Sequence, residues 1–219
     1  MNRPEFDLLK KAGYSWDKPH EIVEIFEKKV ADFCGCEYAV AVDSASNGIF
    51  VSLKYRNNPQ KIIIPKYTYP SVPMHILHAG YDVSFIDIKW SGYYHLSPTN
   101  IIDAAGRWNE GMFIDGYTMI LSFQFKKHIP IGKGGMILTN NRNEADWLRR
   151  AVYDGRDIHK SLYEDDLTML GWHYYMTPED AARGILLMDE KPNVNEDSHN
   201  NTSYRDLTTF SIFSNGQSR

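Results

Sequence analysis

Residues 38–53 read YAVAVDSASNGIFVSL: a short apolar run, a small polar turn, then a second apolar run. Alternation and β-branching make Tyr38–Val42 a strand, and Asp43–Gly48 a tight turn rich in helix-capping groups. Ile49–Leu53 then opens a helix capped by one of the serines or by Asn47. The same unit returns downstream. Ile62–Ile64 reads as a strand ended by Pro65, Val72–Ala79 as a helix, and Val83–Ile88 as a further strand after Gly80. Strands alternating with helices predict an α/β domain with a largely parallel sheet, in which ligands collect at the carboxyl ends of the strands.

Working outward, Ile22, Val23, Ile25, Phe26, Val30 and Phe33 recur at helical spacing and predict an amphipathic helix over residues 20–33. Residues 89–118 are rich in Gly, Tyr, Asn and Asp without a clean period, so connecting structure is expected there. Met119–Phe123 reads as a buried strand and Met136–Thr139 as its return partner after Gly134 and Gly135. Residues 144–152 and 178–188 read as helices, the second capped by Thr177. From Asn193 onward a polar loop is expected, with Leu207–Phe213 as a strand or a docked tail. The expected division is a domain over 1–192 and a polar loop and tail over 193–219.

The chain has 219 residues, 42% of them hydrophobic, enough for one good core and short for two complete domains. A net charge of −4 with no sustained basic run argues against nucleic acid as a partner. No leader-like apolar core opens the chain and no stretch is long enough to span a bilayer, so the expectation is a cytoplasmic protein with no membrane partner. Cys34 and Cys36, one residue apart, are too close for an ordinary disulfide and too few for zinc, and read as reduced packing residues. The sequons at Asn200 and Asn201 then carry no meaning. His75 and His78 stand at i, i+3 but lack a carboxylate partner, so packing is the reading and no metal is expected.

Three features fall at strand ends in chain order. The turn at Asp43–Gly48 offers hydroxyls and backbone N–H groups at a helix N-terminus, which suits either capping or a phosphate, since both use one geometry. Asp103 directly follows the apolar pair Ile101 and Ile102, and could equally cap a helix. Ser122 and two adjacent lysines, Lys126 and Lys127, follow the next strand. A phosphate cradle, a carboxylate and a lysine together form the minimum set for pyridoxal phosphate: an amine to link it, a carboxylate to keep its pyridine nitrogen protonated, and hydroxyls to hold its phosphate.

The stretch SFQFKKHIPIGKGGMILTN, residues 122–140, resembles the motif of the DegT/DnrJ/EryC1/StrS sugar aminotransferases. These are fold-type I pyridoxal-phosphate enzymes in which a Ser-Phe pair precedes the Schiff-base lysine, five residues after the serine, and a Gly-X-Gly-Gly turn. The resemblance makes Lys127 the Schiff-base lysine and Lys126 a solvated neighbour. It places Ser44, Ala45, Ser46 and Ser122 among the cofactor-binding positions. Tyr69 takes the place of the aromatic residue stacked on the cofactor ring, although a core or interface aromatic is the ordinary alternative for a tyrosine. Asp103 and Ala105 match an Asp-x-Ala motif, with Asp103 as the pyridine-nitrogen partner. In LGWHYYMTPEDAARGILLM, His173 stands where the family has an asparagine reaching the phosphate of the other subunit; it could donate similarly or fill space.

The resemblance runs from about residue 20 to 190. It implies a three-layer α/β/α fold with a mostly parallel mixed sheet, the large domain of a fold-type I transferase, reduced in size and with the C-terminal small domain largely absent. It further implies a homodimer with shared active sites. The implied reaction moves an amino group from an amino acid such as glutamate to a keto-sugar carried on a nucleotide. The departures are Gly106 for Gln or His, His173 for Asn, Tyr175 for Arg, Lys133 for an acidic residue, and a shortened segment between Asp87 and Asp103. These favour the alternative of a shortened, non-catalytic relative that binds the cofactor or a sugar nucleotide in a regulatory role. The retained Lys127 and Asp103 oppose it.

Overall fold

Alternation along the strands sorts side chains into two cores. The computed structural model describes residues 3–58, 60–198 and 204–214. In β1 (Tyr38–Val42), Ala39 and Ala41 face one core while Val40 and Val42 face the other. The same split divides Met119 and Leu121 from Ile120 in β6 (Thr118–Ser122), and Met136 and Leu138 from Ile137 in β7 (Gly135–Thr139). Period-two alternation with both faces apolar is what a sheet covered by helices on each side requires.

One face is covered by α1 (Pro4–Lys11), α2 (Glu21–Cys34) and α6 (Pro178–Asp189), which bury Leu9, Ile22, Phe26, Val30, Ala181 and Ile185. The other is covered by α3 (Ala45–Arg56), α4 (Ser71–His78) and α5 (Arg142–Val152), which bury Ile49, Val51, Leu53, Val72, Ile76 and Leu148. The fold is therefore the expected three-layer α/β/α arrangement.

The main sheet has the order β1-β7-β6-β5-β4, with β5 at Ile101–Asp103 and β4 at Tyr94–His95. β2 (Lys61–Pro65) and β3 (Asp82–Ile86) form a parallel pair of their own. That pair is tied to the far side of β4 by an antiparallel bridge, in which Ile63 N donates to Ser97 O at 2.7 Å and Ser97 N to Ile63 O at 3.2 Å. Following the ladders across, β1, β2, β3, β5 and β6 run in one sense, while β4 and β7 run against them. The sheet is mixed and mostly parallel in strand direction. The two-residue β4 spans the gap between β5 and β2, so the short segment between Asp87 and Asp103 still closes the sheet.

Several boundaries differ from expectation. Ser44 caps α3 by accepting from Asn47 N at 3.2 Å, so the helix begins at Ala45 and the small polar residues form its first turn. Residues 89–118 hold β4 and β5, elements too short for periodicity to reveal. The N-terminal α1 was not signalled. Leu207–Phe213 is no strand: a 3-10 turn (Leu207–Thr209) leads into α7 (Ser211–Ser214), with Leu207 fully buried and Phe213 edge-on to Phe85. Both cysteines are free, and burial pushes the Cys36 thiol up to about 11. Asn200 and Asn201 lie outside the described residues. No helix among them is long and apolar enough to cross a membrane.

A buried polar knot fastens α5 and α3 to the sheet. Glu144, 2% exposed, accepts from Thr118 Oγ1 and Thr139 Oγ1 and pairs with Arg56 at 2.9 Å. Every oxygen of the carboxylate is thereby satisfied, which is what makes its burial tolerable.

Candidate active site

The carboxyl ends of β1, β5 and β6 and the N-termini of α3 and α4 converge on a cavity of about 410 Å3. At one end are Ser44, Ala45 and Ser46, in the cap and first turn of α3. Ser46 Oγ meets Ser71 Oγ, from the start of α4, at 2.5 Å. Two helix N-termini thus aim N–H groups and hydroxyls at one place, an arrangement suited to an anion. Gly135 makes the approach possible: a Cβ there would lie 2.6 Å from Ala45 N, so β7 can start against α3 only without a side chain.

Asp103, 6% exposed at the end of β5, lines the cavity beside Ala105. Its Oδ2 accepts from the Tyr94 hydroxyl at 2.6 Å and its Oδ1 from Ala105 N at 3.0 Å. Tyr94 is cross-strand to Asp103 and also bonds Thr68 Oγ1 at 2.7 Å. Burial, reinforced by the Asp103 charge, pushes the Tyr94 phenol well above its usual range, so it stays a donor. The carboxylate is consequently fixed in orientation, and it is no helix cap.

Ser122 ends β6 and Lys127 follows in the turn before β7, where Lys127 N donates to Gln124 O at 2.8 Å. Lys127 is half-buried and lines the cavity. Burial holds its amine below the usual value, and the Asp103 carboxylate acts in the opposite direction. Among the described residues its ammonium has no ion pair, whereas the neighbouring Lys126 is exposed, with its ammonium over the Phe125 ring. Tyr69, 56% exposed, stands at the mouth with its ring edge-on to Tyr204, centroids 6.3 Å apart.

The fold therefore gathers Ser44, Ala45, Ser46, Tyr69, Asp103, Ala105, Ser122 and Lys127 around one cavity. His173 lies elsewhere: it is exposed, and its Nδ1 is 2.9 Å from Asp154 Oδ2. Sequence reasoning missed Ser71, Tyr94 and Tyr204, none of which carries a motif, and gave Thr68 only as the residue before Tyr69 in the family's Pro-x-x-Thr-aromatic segment. A larger cleft of about 930 Å3 lies between α2 and α5 and holds none of the anticipated site residues. Its wall includes Glu27, whose carboxyl burial pushes up to about 7 against the opposing pull of Arg149 and Ala41 N. At its rim His20, Glu24 and His159 bring their ligand-type atoms within 4.8 Å of one another, on the surface and apart from the cavity.

Comparison with known proteins identifies relatives in sequence and in fold. The family model described as the DegT/DnrJ/EryC1/StrS aminotransferase family matches residues 9–106 and 111–206. The spore coat polysaccharide biosynthesis protein SpsC of Bacillus subtilis (strain 168) is 26% identical, over 69% of this chain and 50% of its own. AtS13 from Actinomadura melliaura superposes with a TM-score of 0.71 at 18% identity, over 85% of this chain and 64% of its own. Helicobacter pylori PseC, an aminotransferase involved in the biosynthesis of pseudoaminic acid, gives 0.66 at 14%, over 87% and 63%. The likeness to these structures is one of fold. The present chain spans about half the length of SpsC and under two-thirds of either solved structure.

Proposed function

The chain belongs to the DegT/DnrJ/EryC1/StrS aminotransferase family, and from that premise we propose that it is a pyridoxal-phosphate-dependent aminotransferase acting on a keto-sugar. The observation that carries the reading is the joint presence, in one cavity, of a half-buried lysine free of ion pairs among the described residues and a buried, oriented carboxylate. A structural role accounts for neither: a scaffold gains nothing by desolvating an amine.

The donor set fits the cofactor. Ser44, Ser46 and the first N–H groups of α3 would hold its phosphate, with Ser122 beside them. Asp103 would face the pyridine nitrogen, and Tyr69 would cover the ring. When bound, pyridoxal phosphate supplies an electron sink for charge developing at the amino-bearing carbon. Two donors, Tyr94 O–H and Ala105 N–H, hold the Asp103 carboxylate in place, where it would serve as the partner of a protonated ring nitrogen. Lys127 Nζ would hold the cofactor and would serve as general base and acid beside it, a task helped by burial that favours its neutral form. The amino donor would be an amino acid such as glutamate. The acceptor would be a nucleotide-linked keto-sugar, a class supported by the polysaccharide and pseudoaminic acid roles in the names of SpsC and PseC.

The same reading makes the protein a homodimer with His173 serving the partner's site. Segment 160–175 supports it by exposing Leu162, Tyr163, Leu167 and Leu170, the last at 90%. The test is a visible spectrum of the purified protein with added pyridoxal phosphate, borohydride reduction, and mass mapping. A reduced adduct on Lys127, with bound cofactor converted to its amine form by glutamate, is the expected result. Cofactor bound without conversion by any amino acid would support the non-catalytic alternative, and no adduct on Lys127 would remove the assignment.

A further inference from the structure

Two residues of the cavity wall, Ser198 and Tyr204, come from none of the strands and helices that build the rest, but from residues 193–198 and 204–207 near the C-terminus. This segment is fastened at both ends. Asn195 N donates to Asn109 Oδ1 at 2.6 Å and Asn195 Nδ2 to Trp108 O at 2.7 Å. The Asp197 carboxylate takes the Arg107 guanidinium through both Nε, at 2.9 Å, and an Nη. Ser198 N donates to Gly106 O at 2.8 Å, and Gly92 N to Ser198 O at 3.3 Å. On the other side Asp206 pairs with Lys66 at 3.1 Å, and Leu207, fully buried, donates its N–H to Lys66 O at 2.9 Å.

Gly106 explains why the segment is needed. A Cβ there would lie 2.9 Å from Gly92 O, so the close packing of these backbones admits only glycine. The run Ala104, Ala105, Gly106 after Asp103 therefore sends no polar side chain into the cavity. Tyr204 does. It lines the cavity with Asp103, Lys127 and Tyr69, its ring stands edge-on to Tyr69 at 70°, and burial together with the Asp103 charge keeps its phenol protonated.

We propose that Tyr204 is a ligand-binding residue of this site, an aromatic and hydrogen-bonding wall for the bound pyridoxal phosphate, carried in by a C-terminal strap whose described parts, residues 193–198 and 204–207, are anchored by Asp197–Arg107 and Asp206–Lys66. This rests on the cofactor reading given above. The segment does from within the chain what a separate covering element would otherwise have to do: it supplies a planar contact and excludes water beside Asp103.

The experiment is a fluorescence titration of pyridoxal phosphate against the wild-type protein, Tyr204→Ala, Tyr204→Phe and Asp206→Ala, with limited proteolysis of each with and without cofactor. Tyr204→Ala is expected to weaken binding roughly tenfold, the size of a lost aromatic contact with its hydrogen bond. Tyr204→Phe should recover most of that loss, and Asp206→Ala should weaken binding without touching the cavity. Cofactor should protect the strap from cleavage in the wild type but not in Tyr204→Ala. If the wild type binds cofactor on Lys127 and Tyr204→Ala binds it equally, with unchanged strap protection, the proposal is overturned while the cofactor reading stands. Failure of the wild type itself to bind removes both.

Discussion

At the residue scale, two buried ionisable groups make opposite predictions. Lys127 has its charged form penalised by burial. A lysine whose value is lowered on folding carries no penalty above the unfolded value and an increasing one as the pH falls below it. Lys127→Met should therefore lose the borohydride adduct yet raise the denaturation midpoint at neutral pH, by on the order of 1 kcal/mol of stability, with the gain fading as the pH rises toward about 10.5 and absent above it. A variant less stable than wild type at pH 7 would contradict the burial argument. Glu27 is raised from 4.5 to about 7, chiefly by burial and against the pull of Arg149. A carboxyl raised on folding holds its proton more tightly in the native state, so its contribution is fully present below the unfolded value and lost as the pH rises through the folded one. Wild-type stability should decline between about pH 5 and pH 8, and Glu27→Gln should flatten that decline. Urea titrations at three pH values would decide the matter.

At the element scale, α3 and α5 are held to the sheet by more than apolar contact. Glu144 is fully satisfied by two threonines and Arg56, so removing it leaves a guanidinium, 20% exposed, without its counter-charge. Glu144→Ala is expected to cost about 3 kcal/mol, against about 1 kcal/mol for Thr139→Val, as measured by chemical denaturation. Because α3 also presents Ser44 and Ser46 to the cavity, the same knot positions the anion end of the site. Long elements were legible in sequence: the periodicity of α2, the alternation of β1, β6 and β7, and the cap at Thr177 all emerge where expected. The two-residue β4 was not, and the three-residue β5 showed only as the apolar pair before Asp103, since elements that short show no period and owe their existence to neighbouring strands.

At the scale of the whole molecule, the proposed dimer predicts twice the mass of one chain by light scattering. Leu170→Asp should shift that mass toward the monomer if segment 160–175 is the interface, because it puts a charge in place of an apolar side chain that is 90% exposed in the isolated chain. An unchanged dimer would place the interface elsewhere. Sequence by itself determined the α/β class and the chain order of the capped turn at Ser44, the carboxylate of Asp103 and the lysine pair, while the preference for Lys127 over Lys126 came from the family resemblance. Each of these depends on contiguous residues, through period, capping or spacing within one short segment. Only the tertiary structure decided the slot that β4 takes between β5 and β2, the meeting of Ser46 with Ser71, the Tyr94 hydroxyl that orients Asp103, and the arrival of Tyr204 beside it. Those partners are distant in the chain and carry no shared local pattern. What joins them is the burial of two cores on one sheet, which brings strand ends, helix starts and the C-terminal strap to a common edge.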